Sequence, residues 1–129
     1  MSDWSPPLLT LLGLQREFER GPKREGAFAL WLTVRIAIDL GMNEAVPEKA
    51  DRRRVALLTQ RLAPLAVPRP LSRGLLAALG HLEDGTAAGA RVALAQLVAP
   101  ARDALGPEAA EAVAQAARLI QDRRARTAS

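Results

Sequence analysis

GAFALWLTVRIAIDLGMN, residues 26–43, is apolar on nearly every side of a helix. Between Ala27 and Leu40 only Thr33, Arg35 and Asp39 are polar, so the broad solvent-facing stripe of an ordinary surface helix is missing. A membrane span needs about 20 consecutive apolar residues. This run is shorter and carries basic residues near its start and at its middle, so the membrane reading fails. Two readings remain. The helix runs through the centre of its own bundle, or one side of it is covered by another chain. Arg35 and Asp39 stand one turn apart and can pair, although the acid-first order is the more favourable one on an isolated helix. Phe28, Trp31, Arg35 and Met42 lie along one side. These are residue types enriched at the centres of protein interfaces, and with Asp39 they form the candidate partner-binding face.

Outward from this run, the punctuation is helical throughout. In DWSPPLLTLL, Ser5 can cap, Pro6 fits the first helical position and Trp4 can pack on Leu9 as a hydrophobic staple. The resulting helix is expected to reach Arg20 and stop at Gly21-Pro22. The apolar helix itself is expected from Lys23 to Leu40, with Gly41 as a left-handed cap. Pro47 opens a third helix, EKADRRRVALLTQRLAPL, in which Val55, Leu58, Leu62 and Leu65 share a face and Pro64 bends or ends the run. AVPRPLS reads as a connector, with Ser72 capping RGLLAALGHLED. Gly85 breaks the chain and Thr86 caps AAGARVALAQLVAP, which Pro100 is expected to kink. Gly106-Pro107 stops that helix and starts the last, PEAAEAVAQAARLIQDRR. Strand signals are nearly absent: there is no sustained period-two alternation and no tyrosine. The expected fold is all-α, a compact bundle of about six short-to-medium helices.

Two segments look alike. RRVALLTQRLAP from Arg53 and ARVALAQLVAP from Ala90 share Arg-Val-Ala-Leu, a glutamine and Ala-Pro at an offset of 37 to 38 residues. The period is near that of helical-hairpin repeats, and AALGHLEDGTAAGARVALAQL resembles HEAT-like repeats. The resemblance implies two such hairpins. An irregular helical bundle is the default expectation.

At 129 residues the chain fits one domain, placed at 1–122, followed by a basic tail at 123–129 that is expected to fray. Apolar residues make up 49 % of it, enough to fold without a disulfide or a metal. With no cysteine, disulfides, thiolate nucleophiles and cysteine metal sites all drop out. His81 and Asp84 offer two ligands on one helical face, which do not make a metal site, and no cofactor is expected. The serines stand at positions 2, 5, 72 and 129, in caps and termini, and neither a nucleophile elbow nor a phosphate-cradling glycine loop is present. Carboxylate pairs such as Glu83-Asp84 and Glu108-Glu111 sit at helix ends, where an acid early in a helix offsets the macrodipole. A non-enzymatic role is therefore expected.

The net charge is +4, and 16 of the 18 basic residues are arginine. Arginine suits phosphate and carboxylate partners. Yet arginine, alanine, glycine and proline share GC-rich codons, so base composition also accounts for the excess. Arg52, Arg53, Arg54 and Arg61, with Arg118, Arg123, Arg124 and Arg126, could contact nucleic-acid phosphates from two helices. Ala37 stands four before Gly41, the spacing of a helix-turn-helix, but Pro47 falls where the recognition helix would have to be continuous. The first expectation is an interaction or assembly module that forms a homodimer or docks on a larger protein through the apolar helix. The second is a basic helical subunit gripping nucleic-acid backbone within a larger complex. MSDWSPPLL opens with an acid and lacks a signal-peptide core, so a cytoplasmic protein without membrane attachment is expected.

Overall fold

The computed structural model describes residues 5–18, 22–43, 69–82 and 87–128, together with Arg53 alone. Five helices and no strand are found among the described residues: α1 (Ser5–Glu17), α2 (Pro22–Asn43), α3 (Arg69–Leu82), α4 (Ala87–Leu105) and α5 (Pro107–Ala128). The all-α bundle expected from sequence is what forms. The third helix expected from Pro47 lies outside the described residues, except that Arg53 is helical and exposed. The first copy of the repeated word lies there too, so a hairpin repeat is not traced.

Prolines stand in the first turn of four of these helices, because the first four backbone N–H groups of a helix have no intrahelical acceptor and a residue without one loses nothing. Pro6 and Pro7 stand in the first turn of α1, Pro22 and Pro107 open α2 and α5, and Pro70 is the second residue of α3. That last position corrects the reading of AVPRPLS as a connector. Its second half, from Arg69, is already helical, and Ser72 stands inside the helix rather than at its cap. The described part of α1 ends at Glu17, with Phe18 in a turn whose N–H donates to the Leu14 carbonyl at 3.1 Å. Pro100 does not end α4, which continues to Leu105.

Gly106 serves two helices at once. At φ 103° it takes the left-handed conformation that glycine adopts without steric cost. Its N–H donates to the Arg102 carbonyl at 3.0 Å, closing α4, and its own carbonyl accepts from the Ala110 N–H at 3.3 Å, opening α5. The stop and start expected at Gly106-Pro107 are both present.

Gly41 behaves otherwise than expected. It lies inside α2, which continues to Asn43, and so caps nothing. Its role is close packing: a Cβ there would stand 2.6 Å, 2.7 Å and 2.9 Å from Cδ1, Cγ1 and Cγ2 of Ile120 on α5. Gly74 similarly lets α3 approach α4, where a Cβ would meet Pro100 Cγ at 3.2 Å and Leu97 Cδ2 at 3.3 Å.

α2 is the spine. It touches all four other described helices, which follow one another around it as α3, α4, α5 and α1. Neighbours in that series pack together, but α1 and α3 do not touch, so among the described helices the arc around α2 is open between them. Leu30, Leu32, Val34, Ile36, Ile38 and Leu40 of α2 are all buried. Each such side chain contributes about 1.5–3 kcal/mol relative to exposure, which makes α2 the largest single source of core energy. They meet Leu11 and Leu14 of α1, Leu71 and Leu75 of α3, Leu94 and Leu97 of α4 and Val113 and Ile120 of α5 in one cluster. Thr33, the one polar residue among the described residues that is fully buried, donates its hydroxyl to the Ala29 carbonyl at 2.8 Å, so its own hydroxyl is paired.

Candidate interaction surface

From Gly26 to Gly41, every residue of α2 is buried except Phe28, Trp31, Arg35 and Asp39, which are half-buried. Their spacing of three, four and four residues places them on one line, an arc roughly 80° wide at 100° per residue. The structure thus brings together four of the five residues read as the partner-binding face. The side chain of the fifth, Met42, lies outside the described residues.

Trp31 is the centre of the line. The Phe28 ring lies with its centroid 6.0 Å away at an interplanar angle of 31°. The Arg35 guanidinium carbon stands 5.5 Å from the indole centroid. That is cation–π range, worth about 0.5–1 kcal/mol at an exposed site and more when water is excluded. Stacking of this kind fixes a long side chain that would otherwise lose rotamer entropy on binding. The indole Nε1 is buried and has no hydrogen-bond acceptor. A buried donor left unpaired costs about 1–3 kcal/mol, so the position carries strain that a core chosen for stability alone would avoid.

Of the arginines of the nucleic-acid reading, only Arg53 and Arg118 have side chains among the described residues. Arg118 is exposed, but its Nη2 donates to Glu111 Oε1 at 2.8 Å, so its charge is matched along α5. Arg53 is exposed, and Arg52, Arg54 and Arg61 lie outside the described residues. The helical backbone of α5 continues through Arg123, Arg124 and Arg126, the stretch read as a tail, while their side chains lie outside the described residues.

His81 is a tie between helices: its Nε2 lies 3.1 Å from Gln96 Oε1, joining the end of α3 to the middle of α4. Sequence reading placed His81 near a helix end but missed Gln96, because only the antiparallel packing of two helices makes them neighbours. Asp84 lies outside the described residues. No group of three or more His, Asp or Glu residues that could hold a metal occurs among the described residues, and no described helix is long and apolar enough to cross a membrane. Leu9, read in the sequence as the staple partner of Trp4, is exposed on α1, while Trp4 lies outside the described residues; sequence reading also passed over Leu76 and Val92, which are exposed on α3 and α4. Single exposed apolar side chains are ordinary and carry no functional weight.

No family model, curated protein or solved structure matches the chain.

Proposed function

We propose that the protein is a non-enzymatic helical interaction module that associates with protein, itself or a larger partner, through the Phe28, Trp31, Arg35 and Asp39 line of α2. One observation carries the reading. The helix that supplies the largest share of the buried core among the described residues leaves a single line half-buried, and that line holds two of the four aromatic residues of the chain with an arginine guanidinium 5.5 Å from the indole centroid. A spine helix with no docking role would be expected to expose charged or small polar residues at its one open edge, not Phe and Trp.

Trp31 is its own reporter. Trp4→Phe leaves it as the only indole, and its emission and its quenching by acrylamide are measured from dilute to concentrated protein, then with candidate proteins. Association through the line lowers quencher access and shifts the emission. Association that leaves Trp31 equally accessible at every concentration and with every partner contradicts the reading.

The alternative, a grip on nucleic-acid backbone by Arg52 to Arg54, Arg61 and the arginines of α5, draws no support from the one described ion pair, which engages Arg118. Its test is affinity against salt: phosphate contacts lose affinity steeply between low and moderate salt. If the triple replacement of Arg52, Arg53 and Arg54 leaves nucleic-acid affinity unchanged, that alternative is lost.

A further inference from the structure

We draw no further inference here: the strongest candidate, the half-buried Phe28, Trp31, Arg35 and Asp39 line of α2, belongs to the site already described, and nothing in the structure shows what covers it.

Discussion

At the scale of single residues, the sharpest contrast is between two glycines that both lie inside helices. Gly41→Ala would drive a methyl into three carbons of Ile120, all closer than 3 Å, in a packed core. Overpacking of this kind costs typically about 1–3 kcal/mol, and Gly41→Ala is expected to lower the denaturant midpoint accordingly. Gly13 also lies inside a helix, but a Cβ there meets nothing within 4 Å. Gly13→Ala is expected to raise stability by about 0.5–1 kcal/mol through helix propensity alone. Urea titration of the two variants, showing opposite signs, checks both. Equal effects would mean that α2 and α5 do not meet at Ile120. Gly41 could not be assigned its role from sequence, since a glycine after an apolar run signals a cap and a glycine under a distant isoleucine looks the same. Phe28, Trp31, Arg35 and Asp39 were legible because their side is fixed by helical periodicity within eleven steps of chain, with no need to know what lies opposite.

At the scale of elements, the chain announces boundaries where local chemistry suffices and conceals them where packing decides. Gly106-Pro107 was legible because a left-handed residue followed by a missing N–H can serve only a stop and a start. Gly106→Ala places a side chain at φ 103° and is expected to cost about 1 kcal/mol or more, read as a lower melting temperature. Pro70 misled, because two prolines two residues apart, Pro68 and Pro70, suggest a connector, whereas the first turn of α3 tolerates a proline in its second position. Pro100 lies inside α4 against Gly74, a pairing between two residues each unfavourable in a helix interior, visible only once α3 and α4 are side by side. The two exposed ties are a different matter. Arg118→Ala, which removes the ion pair to Glu111, is expected to change stability by less than about 0.5 kcal/mol, since exposed pairs gain little over solvation.

At the scale of the whole molecule, core and surface should separate in mutant behaviour. Leu30 and Trp31 are sequence neighbours, yet Leu30 is fully buried and Trp31 belongs to the open line. Leu30→Ala is expected to destabilise the fold by about 2–5 kcal/mol. Arg35→Ala is expected to leave the thermal unfolding of dilute protein within about 1 kcal/mol of wild type while weakening association. Salt divides the two readings of function further. Raising ionic strength from about 0.1 M to 1 M shortens the screening length from about 10 Å to 3 Å, which should weaken contacts of Arg35 and Asp39 with a partner but spare the aromatic contact. Association through Phe28 and Trp31 therefore declines with salt only partly, whereas a phosphate grip would be lost.

The most direct measurement is the molar mass of the wild-type chain by light scattering, followed from about micromolar to millimolar concentration beside Trp31→Ala. Mass rising from 13.8 kDa toward twice that value, with Trp31→Ala folded and held at the monomer, is the expected result. A mass that stays at 13.8 kDa throughout, or that rises equally in Trp31→Ala, would contradict self-association through the open line of α2.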